Sequence, residues 1–255
     1  MNAFDLSGRS AIVVGGTSGI GRTLALGLAD AGADVAATGR RANLVEEVAA
    51  QIEARGRRSL RVAADVSDRQ ALERLRDRCL ETFGRIDILV CAAGITKRVS
   101  TLDMTETDWA NILETNLTGT LRCCQVFGRE MVRRGSGRVI TIASLTSMLG
   151  MFEVAAYAAS KSAVAGLTRS LAVEWAPSGV TVNAILPGVF KTDLNRALLE
   201  SPRGQEFLMR TPMRRFGRVD ELVGAAVYLA SDAASFVTGH LLAVDGGFLA
   251  SGVNQ

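Results

Sequence analysis

A doubly wound α/β fold, with a parallel sheet of about seven strands and helices on both faces, is predicted by three features of the sequence. Short β-branched runs alternate with longer segments of helical period. Those runs are apolar without polar alternation, as strands buried on both faces are. A glycine-rich turn, Gly15-Gly16-Thr17-Ser18-Gly19-Ile20-Gly21, joins the first run directly to the first helical segment. The 255 residues, 48% hydrophobic and 22% charged, suffice for one domain, residues 1–255, with a substantial core.

The elements follow in order. Ala11 to Val14 is the first strand and Ile20 to Ala31 its helix; Asp34 to Thr38 and Ala42 to Arg55 repeat the unit. Leu60 to Ala63 is the third strand candidate, followed by helical period from Asp68 to Phe83. Ile86 to Cys91 is the fourth strand, and one long helix is expected from Asp108 to Arg134. Arg138 to Ile142 and Ala156 to Trp175 form the next unit, and Val180 to Leu186 the sixth strand. The alternation then breaks over Pro187 to Arg218, rich in Pro, Gly and Arg, before a last helix at Asp220 to Leu229 and a last strand at Leu241 to Val244. Ligands of such sheets bind at the carboxyl ends of the strands, so residues 187–218 are expected to act as a lid.

Composition excludes several function classes. The net charge is +3 and basic residues are spread along the chain, so no nucleic-acid partner is expected. Apolar runs fall well short of the roughly 18 to 20 residues that span a bilayer, and MNAFDLSGRS has no basic region followed by an apolar one. No membrane association is expected, and the cytoplasm is the expected compartment. Cys79, Cys91, Cys123 and Cys124 make no CxxC pair, and with His240 they give no zinc-like spacing, so no metal is expected. Cys123 and Cys124 read as buried thiols, and His240 as a packed or hydrogen-bonded residue in the run GHLLAV. Lysine occurs only at Lys97, Lys161 and Lys191 in a chain that otherwise uses arginine, which makes each lysine informative.

The glycine turn lets backbone approach a ligand closely, and the helix behind it offers free N–H groups to a pyrophosphate. At the end of the second strand stands Thr38-Gly39-Arg40-Arg41, with no acid to bind ribose hydroxyls. Arg40 suits a 2′-phosphate, so NADP(H) is favoured with NAD(H) as the alternative; a solvated Arg pair is the bland reading. Asp65 fits an adenine amino group or a helix cap equally. Tyr157 and Lys161, four residues apart, share a helix face, so the ammonium is expected to favour the phenolate and lower the Tyr157 pKa. Ser144 precedes Tyr157 by thirteen residues at the end of the fifth strand.

Together these residues resemble the short-chain dehydrogenase/reductase family over essentially the whole chain. VGGTSGIG is similar to its TGxxxGIG motif, with Val14 where Thr is usual. Ser144, Tyr157 and Lys161 match its SerxxxTyrxxxLys pattern, Asn116 in ETNLTG its asparagine, and Pro187-Gly188 with Thr192 its PGxxxT stretch. The resemblance implies a Rossmann-like fold. It also implies cofactor contacts from Gly15, Thr17, Ser18, Gly19, Ile20, Gly21, Arg40, Asp65, Val66, Ala92, Gly94, Tyr157, Lys161, Pro187, Gly188, Val189 and Thr192, and catalysis by Asn116, Ser144, Tyr157 and Lys161. The usual NNAG reads Cys91-Ala92-Ala93-Gly94 here. AGITKR, RTPMRRFG and neighbouring stretches are similar to the gluconate 5-dehydrogenase group, but Met148 and Met151 replace polar residues common there. Substrate contacts are expected from Ser144, Tyr157, Met151 and Arg98, the last as an anion clamp or else a surface arginine. The implied reaction interconverts a small-molecule ketone and a secondary alcohol, in a homotetramer. A 3-oxoacyl thioester reductase and a nucleotide sensor without turnover are the alternatives.

Overall fold

The computed structural model describes residues 3–192 and 200–252. Among them, six strands form one all-parallel sheet: β1 (Ser10–Val14), β2 (Asp34–Thr38), β3 (Ile88–Cys91), β4 (Gly137–Ile142), β5 (Val180–Pro187) and β6 (Leu241–Val244), in the order β2-β1-β3-β4-β5-β6. The chain leaves β1 toward β2, then crosses back to place β3 on the other side of β1. That reversal opens a crevice at the carboxyl ends of β1 and β3.

The strands alternate between two cores, as a period of two requires. Ile12 and Val14 of β1 face one core, with Leu72, Leu75 and Cys79 of α3 (Arg69–Phe83) and Phe127 and Met131 of α5 (Gly119–Arg134). Ala11 and Val13 face the other. There they pack with Leu24 and Leu28 of α1 (Gly19–Asp30), Val48 and Ile52 of α2 (Ala42–Glu53), and Ala226 and Leu229 of α8 (Val223–Ala230). The remaining helices are α4 (Glu106–Leu113), α6 (Ala155–Trp175) and α7 (Pro202–Arg210).

Three expectations are corrected. The run from Leu60 to Ala63 is not a strand; a single bridge joins Ser59 to Val35. Side chains interrupt the ladder there: Thr38 Oγ1 donates to the Val62 carbonyl at 2.7 Å and Ser59 Oγ to the Val35 carbonyl at 2.7 Å. Side-chain bonds stand there where backbone pairing would continue the ladder. The helix expected from Asp108 to Arg134 is instead α4, a π-helical turn at Glu114–Thr118, and α5. The wider turn, closed by Gly119 N–H on the Glu114 carbonyl, turns Asn116 into the interior, where it is fully buried. His240 is not packed: its side chain is exposed, and only its backbone is engaged, by Asn183 and Ala184. The four cysteines are buried and form no disulfide, and the Cys91 thiol is hydrogen-bonded to those of Cys123 and Cys124.

In the region expected as a lid, residues 193–199 lie outside the described residues. At its base Lys191 N–H donates to the Gly217 carbonyl at 3.0 Å and Gly217 N–H to the Val189 carbonyl at 2.9 Å. This closes the segment on itself before and after α7. No helix among the described residues is long and apolar enough to cross a membrane.

Candidate active site

The glycine turn sits at the crevice because β1 ends there. Gly15 and Gly16 N–H groups both donate to the Thr38 carbonyl at 2.9 Å, which ties the turn to the end of β2. Gly15 has φ of +82°, and a Cβ there would lie 2.5 Å from Ala93 N; at Gly21 it would lie 2.1 Å from the Gly15 carbonyl oxygen. Glycine is required at both positions. Ser18 is the N-cap of α1 yet makes no side-chain cap bond, and the first turn carries no acid. Its N–H groups are therefore unspent, the condition under which a helix start holds a phosphate.

The exposed Arg40 and Arg41 flank this turn, and Arg41 Nη2 donates to Ser18 Oγ at 3.3 Å. Two guanidinium groups and a hydroxyl thus border the end of β2, a donor set that fits a 2′-phosphate. Asp65 is not the cap of α3. Asp68 is, accepting from Ala71 N–H at 3.1 Å, while Asp65 Oδ1 holds Ser67 N–H and Oγ at 2.9 and 2.8 Å. Val66 is buried where Gly119 presses against its side chain. Ala92 N–H donates to the Val14 carbonyl at 2.8 Å, and Gly94 lies beside Asn116 and Lys161. Pro187 ends β5. Gly188 N–H donates to the Val244 carbonyl at 2.9 Å, and a Cβ on Gly188 would meet Asp245 Cα at 2.6 Å. Val189 and Thr192 follow toward the expected lid.

Ser144 ends the loop after β4 and caps a short 3₁₀ turn, Leu145–Ser147, its Oγ accepting from Thr146 N–H at 3.2 Å. That turn is fastened to α6: Ser147 Oγ donates to the Lys161 carbonyl at 2.8 Å and Ser162 Oγ to the Thr146 carbonyl at 3.2 Å. The fastening sets the Ser144 hydroxyl against Tyr157 of α6. Lys161, one turn on, is buried with Nζ donating to the Ile142 carbonyl at 2.7 Å, and it lies 5.7 Å from the Tyr157 ring centroid.

The electrostatics depart from expectation. Burial pushes the Tyr157 pKa above its ordinary value of 10.0, with the Ser144 hydroxyl pulling the other way. Lys161 does not act as the decisive influence on the phenol. Its own pKa is brought down by burial from 10.5 to about 8, the nearby Cys91 thiol opposing the shift. Asn116 spends its side chain on structure. Nδ2 donates to the Ile95 carbonyl at 2.9 Å and Ser160 Oγ at 3.0 Å, and Oδ1 accepts from Ile95 N–H at 2.8 Å. It joins the loop after β3 to α6.

The loop from Met148 to Val154 borders this group. Met151 is half-buried, Met148 and Phe152 are exposed, and Glu153 adopts φ of +63°, uncommon for a residue with a Cβ. Arg98 holds Glu153 there: Nε to Oε2 is 2.6 Å, and Val99 N–H donates to the Glu153 carbonyl at 2.9 Å. From α7, Arg203 Nη2 donates to the Phe152 carbonyl at 2.9 Å. Arg41, Glu153 and Arg203 were missed in the sequence. Arg41 was readable as the second half of an Arg pair, while the other two depend on contacts between distant segments.

A hydroxyl, a phenol and a buried amine thus converge beside a helix start that is ready for phosphate. A family model described as Enoyl-(Acyl carrier protein) reductase matches residues 14–249. The chain belongs to the short-chain dehydrogenase/reductase family. It is an oxidoreductase acting on CH–OH groups. It is 43% identical over 251 residues to the 2-dehydro-3-deoxy-D-gluconate 5-dehydrogenase of Bacillus subtilis, covering 97% of each chain. It is 39% identical over 249 residues to the gluconate 5-dehydrogenase of Gluconobacter oxydans, again covering 97% of each. Among solved structures it is similar to a gluconate 5-dehydrogenase from Burkholderia cenocepacia in complex with NADP and tartrate. That match has a TM-score of 0.94 and 38% identity, covering 98% of this chain and 99% of that one.

Proposed function

We propose that this protein interconverts the keto and secondary-alcohol forms of a sugar acid with NADP(H), residues 187–218 covering the site. The observation that carries the chemistry is the convergence of Ser144, Tyr157 and Lys161 at the carboxyl ends of β4 and β5. The names of the similar dehydrogenases support the substrate class. The Arg40–Arg41–Ser18 group supports the phosphorylated cofactor.

Gly15, Gly19, Ile20 and Gly21 hold the pyrophosphate, Arg40 and Arg41 the 2′-phosphate, and Gly188, Val189 and Thr192 the nicotinamide end. Bound there, the dinucleotide supplies or accepts the hydride. In reduction, Ser144 Oγ donates to the carbonyl oxygen as negative charge develops on it. Tyr157, kept protonated at neutral pH by its buried setting, gives its phenolic proton to the same oxygen. Lys161 offsets the phenolate that forms. With a pKa of about 8, its ammonium can pass a proton on near neutral pH. Asn116 keeps Ile95 and Ser160 in register around it. In oxidation the same groups run in reverse.

Tyr157→Phe retains cofactor binding and loses turnover by about a hundredfold or more. Near wild-type rates in this variant would remove Tyr157 from the mechanism. A panel of keto sugar acids, neutral keto sugars, apolar ketones and a 3-oxoacyl thioester, each with NADPH and NADH, tests the substrate class. Preference for the thioester over every keto sugar acid would overturn it. Assembly as a homotetramer is part of the same reading, supported by the exposed apolar side chains of Leu102, Trp109 and Val173 around α4 and α6. Light scattering that reads a single chain would refute it.

A further inference from the structure

We propose that Arg203, on α7, is the residue that reads the substrate carboxylate, in place of Arg98. This deepens the sugar-acid reading and rests on it. Two guanidinium groups reach the loop from Met148 to Val154, which joins the Ser144 turn to the helix of Tyr157, and they stand in different states. Arg98 is neutralised: its Nε is 2.6 Å from Glu153 Oε2, and Glu153 is held in place by Val99. Arg203 has no carboxylate partner among the described residues. Its Nη2 donates to the Phe152 carbonyl at 2.9 Å, and its guanidinium carbon lies 5.6 Å from the Phe207 ring centroid. Its Nη1 is buried and has no hydrogen-bond partner among the described residues.

An N–H removed from water without an acceptor is unfavourable, so this arrangement gains when an anionic acceptor arrives. A carboxylate matches the edge of a guanidinium, and bonds between two charged groups are the stronger kind. The Phe207 face and the Phe152 carbonyl already fix the plane of the group, so little side-chain freedom is lost on binding. Placement agrees with this role. Phe152 follows Met151 directly and precedes Tyr157 by five residues, so an anion held at Arg203 sits on the loop that borders the phenol.

The test compares 5-keto-D-gluconate with its neutral methyl ester, using NADPH, in wild type, Arg203→Ala, Arg203→Lys and Arg98→Ala. Arg203→Ala raises KM for the acid by about tenfold or more and for the ester by less than about threefold. Arg203→Lys, which keeps the charge and loses the fork, falls between, and Arg98→Ala shifts acid and ester by the same factor. An equal shift for both substrates in Arg203→Ala would reduce Arg203 to a tie between α7 and Phe152. Selective loss of the acid in Arg98→Ala would return the role to Arg98. Either result overturns the proposal. A second arm needs no turnover: tartrate is titrated into the enzyme saturated with NADP, with circular dichroism confirming that each variant is folded. Tartrate binds wild type and binds Arg203→Ala about tenfold more weakly. Failure to bind wild type, or equal binding to both, overturns the proposal too. If wild type reduces neither acid nor ester, the sugar-acid reading fails by itself, while the titration still decides Arg203.

Discussion

An ammonium held out of water with no carboxylate beside it is costly, and Lys161 is in that position among the described residues, its Nζ donating to the Ile142 carbonyl. Its pKa falls from 10.5 to about 8, so the folded state favours the neutral amine more than the unfolded chain does. The resulting destabilisation is fully present below about pH 8, where the folded protein must carry the charge. It fades as pH rises toward 10.5, where the unfolded chain loses the proton as well. Lys161→Met therefore raises stability at pH 7 by about 1 to 3 kcal/mol, and the gain shrinks on titration to pH 10, while turnover collapses. Denaturant melts of both proteins at the two pH values check it; a variant less stable than wild type at pH 7 contradicts it. At the other end of the cofactor site, Arg41 touches Ser18 while Arg40 does not. Arg40→Asp combined with Arg41→Ala shifts the ratio of kcat/KM for NADPH over NADH by about tenfold or more, and further than either change alone. An unchanged ratio would make the pair a solvated start to α2.

Among the elements, the π-helical turn at Glu114–Thr118 matters most, because the residue it turns inward joins three segments. Asn116→Ala leaves Ile95 N–H, the Ile95 carbonyl and Ser160 Oγ short of a partner. The expected loss is about 2 to 4 kcal/mol of stability, with kcat falling more than cofactor affinity. Chemical denaturation and cofactor titration separate the two effects. Nothing in the hydrophobic spacing announced this turn. One extra residue in a helix of 27 only shifts the phase of its apolar face, so Asp108 to Arg134 reads as continuous, and Asn116 was found through family resemblance alone. The missing strand at Leu60 to Ala63 has the opposite cause. Its apolar spacing was right for a strand, but the hydroxyls of Thr38 and Ser59 took the carbonyls that a ladder needs. Tyr157 and Lys161 were legible because residues four apart share a helix face, and Ser144 because it stands at the end of a strand in the family's pattern. Arg98 with Glu153, 55 residues apart, was not.

Across the whole molecule, stability and chemistry occupy opposite ends of the sheet. At the amino edge the buried Asp87 accepts from Ser10 N–H and from Arg85 and Arg134, which joins β1, β3 and α5. Burial opposes its charge, yet the two arginines and the Ser10 N–H hold its pKa below 3.8. That contribution is present above about pH 4 and is lost as pH falls through the lowered value. Asp87→Ala leaves Ser10 N–H without its acceptor and parts two partly exposed arginines from their carboxylate, which costs roughly 1 to 3 kcal/mol, while KM for substrate and cofactor stays unchanged in the fraction that folds. A changed KM would mean that the two ends are coupled. The carboxyl edge is built otherwise. Its cofactor cradle is built on backbone and on Gly15, Gly21 and Gly188, where a Cβ would meet neighbouring backbone, whereas the residues around the substrate hang on a loop and on α7, segments that carry little of the core. Heredity acts differently on these two halves. A codon change that puts a side chain at Gly15, Gly21 or Gly188 sets a Cβ against backbone, so selection is expected to remove it. Codons 148–153 and 202–210 encode none of the buried apolar core, so they are where a lineage could alter what it reduces before it alters how it reduces it.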